Sequence, residues 1–125
     1  MEIYHKQGKR LKNIIIWHNP RCSKSRNALS YLEEKGLDLE VVKYLDTTPT
    51  FEELKEVLKL LNMSAKELMR KGEDIYKQLK LKDVEDEDTL IKAMVENPKL
   101  IERPIIINGD KAVVARPLEN IDTIL

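Results

Sequence analysis

IIIWHNPRCSKSRNALSYLEEKGLDLEVVKYL, residues 14–45, is the stretch that decides the architecture. Its first four residues form a β-branched run that ends at His18-Asn19-Pro20, the pattern of a buried strand entering a turn. From about Ser25 to Lys35 the apolar residues Ala28, Leu29 and Leu32 recur at helical spacing. Gly36 then supplies the left-handed stop that a helix C-terminus favours. LEVVKYL (39–45) is a second strand. Strand, cysteine-bearing turn, helix, strand makes a βαβ unit, with a right-handed crossover and parallel strands.

Beyond this unit the chain turns helical. Thr50 and Glu53 form a capping box behind Pro49, and Phe51, Leu54, Val57, Leu58 and Leu61 share one helix face. Ser64 and Glu67 repeat the device for a shorter helix, and GEDIYKQL (72–79) holds another turn or two. After the acidic DVEDED (83–88) a helix directs Leu90, Ile91, Met94 and Val95 inward and stops before Pro98. RPIIINGDKAVVA (103–115) is two β-rich runs around Asn108-Gly109-Asp110, a strong hairpin signal. RPLENIDTIL closes the chain as a short helix, with Pro117 suited to its first turn. The order describes an α/β, thioredoxin-like fold: a four-stranded mixed sheet flanked by helices on both faces, with an enlarged helical insert at about 50–97. One domain over 14–125 is expected, with residues 1–13 as a flexible leader.

The composition bounds the function. The 125 residues carry 22 Lys plus Arg against 22 Asp plus Glu, a formal net charge of zero. That balance gives no general reason to expect nucleic acid or an anionic membrane as partner, so an anion site has to be local. No apolar run reaches the ~20 residues of a membrane helix. MEIYHKQGKRLKN (1–13) lacks the apolar middle of a signal peptide. A lone thiol survives best in a reducing compartment, so the cytoplasm is the expected location, and a monomer the expected state.

Cys22 is the sole cysteine. A thiol becomes a nucleophile as thiolate, and the junction of strand and helix favours negative charge through unpaired N–H groups and the helix dipole. His18, Arg21, Lys24 and Arg26 stand near enough in sequence to add positive potential. Cys22 is therefore expected to ionise near neutral pH. A buried structural cysteine is the alternative, and the polar company of Arg21, Ser23, Lys24 and Ser25 speaks against it. His18 serves equally as a strand-end cap or a functional group. Spacing excludes other chemistry. The run from Cys22 to Ser25 is C-x-x-S, not a dithiol. A cysteine-phosphatase loop needs arginine where Ala28 stands. One cysteine and two histidines are too few for zinc. Such a thiol draws its reductant from outside.

Three arginines complete the candidate site. Arg70 ends the SAKELMR helix, where a cation also suits the dipole. Arg103 and Arg116 each precede a proline at the outer ends of the hairpin, where solvated rim residues are common. In the proposed sheet, however, the first hairpin strand starts beside the end of the cysteine-bearing strand. Arginine binds tetrahedral oxyanions in a forked geometry. Pro104 sits where the thioredoxin architecture keeps a cis-proline facing its thiol.

HNPRCSKSRNAL (18–29), ELMRKGEDIYKQL (67–79), MVENPKLIERPIII (94–107) and ARPLENIDTIL (115–125) together resemble the glutaredoxin-dependent arsenate reductases of the ArsC family. The likeness runs from about Ile14 to Leu125, and HNPRCSKSR is especially similar to the small uncharacterised arsenate-reductase-like bacterial subgroup. The resemblance implies Cys22 as nucleophile, His18 as its support and Ser25 as the serine that hydrogen-bonds the thiolate. It implies Arg70, Arg103 and Arg116 as oxyanion-binding residues. It also implies arsenate as substrate, glutathione as co-substrate, glutaredoxin as partner, and no bound cofactor or metal. Arg21, Ser23 and Lys24 depart from the small or neutral residues of the family's loop and add charge beside the thiol. Two rivals share the scaffold. Monothiol glutaredoxins use C-x-x-S to resolve glutathione mixed disulfides or hold an iron–sulfur cluster, and Spx-like regulators bind RNA polymerase and usually carry C-x-x-C as a redox switch, which Ser25 removes here.

Overall fold

The computed structural model describes residues 14–125, so the expected leader lies outside the described residues. Strands β1 (Ile14–Trp17), β2 (Leu39–Val42), β3 (Ile105–Asn108) and β4 (Lys111–Val114) form one sheet in the order β2-β1-β3-β4. β1 runs parallel to β2, with Trp17 opposite Val42, and antiparallel to β3, with Trp17 opposite Ile105. β3 pairs antiparallel with β4 across the Gly109-Asp110 turn. This is the mixed thioredoxin-like sheet expected from the order of elements.

Period-two alternation gives the central strands two buried faces. Ile15, Trp17, Ile105 and Ile107 enter one core, and Ile14, Ile16 and Ile106 enter the other. The first core is covered by the insert: α2 (Phe51–Leu61), α3 (Ala65–Leu68), α4 (Asp74–Gln78) and α5 (Glu87–Glu96). It takes in Leu54, Leu58, Leu68, Leu90, Ile91 and Met94. The second is covered by α1 (Ser23–Glu34), through Ala28 and Leu32, and by Ile121 and Ile124 near the C-terminus.

Both capping boxes form. Thr50 accepts from Glu53 N–H at 3.1 Å while Glu53 reaches back to Thr50 N–H at 2.9 Å. Ser64 and Glu67 do the same. Gly36 ends α1 at φ 70°, in the left-handed region. Three expectations need correction. β2 stops at Val42, because the Lys43 carbonyl is taken by a turn, accepting from Asp46 and Thr47 N–H. The closing segment is a 3-10 helix over Leu118–Thr123 with Pro117 as its cap rather than in its first turn. Asn120 holds it back onto the strand end by donating to the Val114 and Arg116 carbonyls. Finally, α3 ends at Leu68, so Arg70 is not on that helix. Met69 instead bridges antiparallel to Ile101, with Arg70 N–H on the Leu100 carbonyl at 2.7 Å.

Candidate active site

The loop between β1 and α1 is stitched together by its own polar groups. Asn19 Oδ1 accepts from Arg21 N–H at 3.0 Å, and the Asn19 carbonyl accepts from Cys22 N–H at 3.0 Å. Ser25 is fully buried, and its hydroxyl accepts from Asn19 N–H at 2.9 Å and pairs with His18 Nδ1 at 2.6 Å. His18 is buried too, with its N–H on the Val42 carbonyl. Burial, then the charges of Lys43 and Arg26, hold the His18 pKa below the usual histidine value. The lowered value favours the neutral imidazole over the positive charge expected from its position.

Cys22 occupies the N-cap of α1, the place where an oxygen side chain usually accepts from the first turn. The short cap bond of an oxygen side chain is absent here, and the Ser25 and Lys24 N–H groups of the first turn act on the sulfur. Burial pushes the thiol up. The Ser25 N–H, the Arg103 side chain and the Lys24 N–H pull it down, helped by the Arg103 charge, and the balance lies below the ordinary thiol value. Ser25 thus meets the sulfur through its backbone, while its hydroxyl is committed to His18 and Asn19. The cation acting most on the thiol comes from across the sheet. Of the loop cations, Arg21 and Lys24 are exposed, and Arg26 turns its guanidinium to the Pro20 carbonyl at 2.9 Å.

Two of the three arginines converge on Cys22. Arg116 Nη2 donates to Cys22 Sγ at 3.6 Å, and its Nε donates to the Arg103 carbonyl at 2.7 Å. Arg103 joins Pro104 by a cis peptide bond, as Arg116 does Pro117. Arg70 reaches the group through a carboxylate: its Nη1 lies 3.9 Å from Glu102 Oε1, and its Nε 3.5 Å from Glu73 Oε2. Arg70 Nη1 and Arg103 Nε are buried with no hydrogen-bond partner of their own.

Two residues here escaped the sequence reading. Glu102 stands among the arginines, its Oε1 3.6 Å from Arg116 Nε and 3.2 Å from Arg103 N. Adjacency to Arg103 was its only signal. Tyr44 is fully buried with an unpartnered hydroxyl. Burial first, opposed by Arg103 and reinforced by the negative charges of Cys22 and Glu102, pushes its pKa up to about 12. It stays a neutral donor. No group of three or more His, Cys, Asp or Glu able to hold a metal occurs among the described residues. None of their helices is long and apolar enough to cross a membrane.

A family model described as "ArsC family" matches residues 17–124. The chain belongs to the ArsC family. An arsenate reductase of Neisseria meningitidis serogroup A is 51% identical over 117 residues, 92% of this chain and 100% of that protein. An arsenate reductase of Escherichia coli is 36% identical over 116 residues, 92% of this chain and 82% of its own length. The solved arsenate reductase of Vibrio cholerae superposes with a TM-score of 0.88 at 43% identity, covering 93% of this ArsC-family chain and all of that one.

Proposed function

We propose that this ArsC-family chain is an arsenate reductase with one nucleophilic cysteine, drawing its electrons from glutathione and glutaredoxin. The observation that carries the reading is the convergence of a lowered thiol with the Arg103 and Arg116 guanidinium groups. The relatives that bear the name arsenate reductase support it. Arsenate, as an oxyanion, binds between the first turn of α1 and Arg70, Arg103 and Arg116. The Cys22 thiolate forms an S–As bond, an As–O bond breaks, and the protonated oxygen leaves as water. No electrons have yet moved. Glutathione and then glutaredoxin supply two, their sulfurs leave joined as a disulfide, arsenic leaves as arsenite and Cys22 is returned. Charge grows on the arsenate oxygens during attack, where preorganised guanidinium donors lower the barrier. His18 and Ser25 hold the loop that presents the thiol. The reducing cytoplasm is the matching location, and a monomer suffices for this chemistry.

The experiment is arsenate-dependent NADPH oxidation in a coupled glutathione, glutaredoxin and glutathione-reductase system. The wild-type chain turns over and Cys22→Ser does not. Arg103→Ala and Arg116→Ala lose about 10²–10³-fold in rate, the usual effect of removing one oxyanion donor. A wild-type protein that oxidises no NADPH with arsenate, yet does so with a glutathione mixed disulfide, makes the chain a monothiol oxidoreductase instead.

A further inference from the structure

Glu102 is the carboxylate that stands on two of the three arginines, and the oxyanion chemistry leaves it without a task. Its Oε1 stands 3.6 Å from Arg116 Nε and 3.9 Å from Arg70 Nη1, on the guanidinium groups that an anion would use. A carboxylate there repels any anion that settles on the same guanidinium groups. A plain counter-ion role fits the geometry poorly. Neither ion-pair separation is a hydrogen bond, and Arg70 Nη1 and Arg103 Nε remain buried without partners beside it. The arginines already have other anchors: Glu73 lies 3.5 Å from Arg70 Nε, and the Arg103 carbonyl takes Arg116 Nε at 2.7 Å. Glu102 itself accepts a hydrogen bond from Arg103 N–H at 3.2 Å. A carboxylate has about four acceptor sites, so capacity for another donor remains.

The geometry points to Glu102 as a specificity-determining residue that admits only tetrahedral oxyanions still carrying a proton. This rests on the oxyanion reading of the arginines given above. A ligand seated on the unpartnered guanidinium N–H groups comes to lie beside the Glu102 carboxylate. Hydrogen arsenate and hydrogen phosphate offer an O–H there, which turns the repulsion into a charge-assisted hydrogen bond. Sulfate has the same shape and, in mildly alkaline buffer, the same double negative charge, but it has no proton to give. Its oxygen meets the carboxylate lone pairs directly. A site built to receive a donor discriminates steeply against a ligand that lacks one, because its own polar group is then left unpaired.

Protection of Cys22 from alkylation by iodoacetamide, in mildly alkaline buffer, tests this without turnover. Phosphate, arsenate and sulfate are titrated against wild type and Glu102→Gln, each normalised to its own rate without anion. In the wild type, phosphate and arsenate protect at concentrations at least about tenfold below sulfate. In Glu102→Gln, whose amide both donates and accepts, the gap closes to about threefold or less because sulfate gains. An equal preference in both proteins overturns the inference, as does a wild type that fails to distinguish the anions. Loss of protection by every anion in Glu102→Gln also overturns it, making Glu102 the counter-ion that holds the arginines in place. Failure of all three anions to protect the wild type withdraws the oxyanion reading itself, and this inference with it.

Discussion

Burying a hydroxyl without a partner costs about 1–3 kcal/mol, and Tyr44 places such a group in the core beside Arg103, Cys22, Glu102 and Arg116. Tyr44→Phe removes the oxygen and keeps the ring, so nothing that packs is lost. The expected outcome is a resting protein more stable by about 1 kcal/mol in urea unfolding. A less stable variant would mean that the hydroxyl has a partner after all. Cys22 makes the matching statement in pH. Its thiol titrates lower in the folded chain than in the unfolded one. Between those two values the unfolded state holds more protons, so stability rises with pH. Set against Cys22→Ser, the wild type gains no advantage below the folded thiol value. It gains progressively through the window and in full above the ordinary thiol value, as unfolding measured across alkaline pH checks. Lowered His18 acts at lower pH with the same sign: stability falls as pH drops through the ordinary histidine range.

At the scale of elements, the helices with oxygen caps were legible because their start signals are local: Thr50 with Glu53 and Ser64 with Glu67 each lie within one turn. Gly36 was legible for the same reason, its positive φ being a property of one residue. The α1 start is different. Its cap carries sulfur, and its first turn is tied back to the loop by the hydroxyl of Ser25, seven residues from His18 and out of reach of any capping rule. Ser25→Ala leaves the Asn19 N–H and His18 Nδ1 without their partner inside a buried loop. It should cost about 1–3 kcal/mol. It should also raise the thiol midpoint, because the Ser25 N–H that lowers it loses its fixed position. Urea unfolding and thiolate absorbance read the two effects separately, and an unchanged midpoint would place that N–H under other control. Arg70 marks the opposite case. Its helical pattern was continuous to the eye, but the chain leaves the helix after Leu68 to pair with Ile101, a contact set by tertiary packing.

The whole molecule brings five segments to one end of one sheet. Cys22 follows β1, Tyr44 follows β2, Arg116 follows β4, Glu102 and Arg103 precede the antiparallel β3, and Arg70 arrives on the bridge to Ile101. Arg103 and Arg116 were legible as neighbours of the thiol because the hairpin holds their two ends together and the proposed sheet sets its first strand beside β1. Glu102 and Tyr44 were not. A glutamate among 22 acidic residues or a tyrosine near a strand end acquires meaning only from neighbours distant in the chain. The same dependence adds Arg103, brought by the sheet, to the Ser25 and Lys24 N–H groups that lower the thiol from its own first turn. Trp17, the sole tryptophan, is fully buried in β1, paired with both β2 and β3 and one residue from His18. It reports the sheet, and the thiolate reports the convergence of Arg103 on Cys22. Followed through a urea titration at a pH between the folded and ordinary thiol values, tryptophan emission and thiolate absorbance should change in one coincident transition, the mark of two-state unfolding. If thiolate is retained after the tryptophan signal is lost, the α1 first turn lowers the thiol without the sheet. If it is lost earlier, the arginine end opens before the core does.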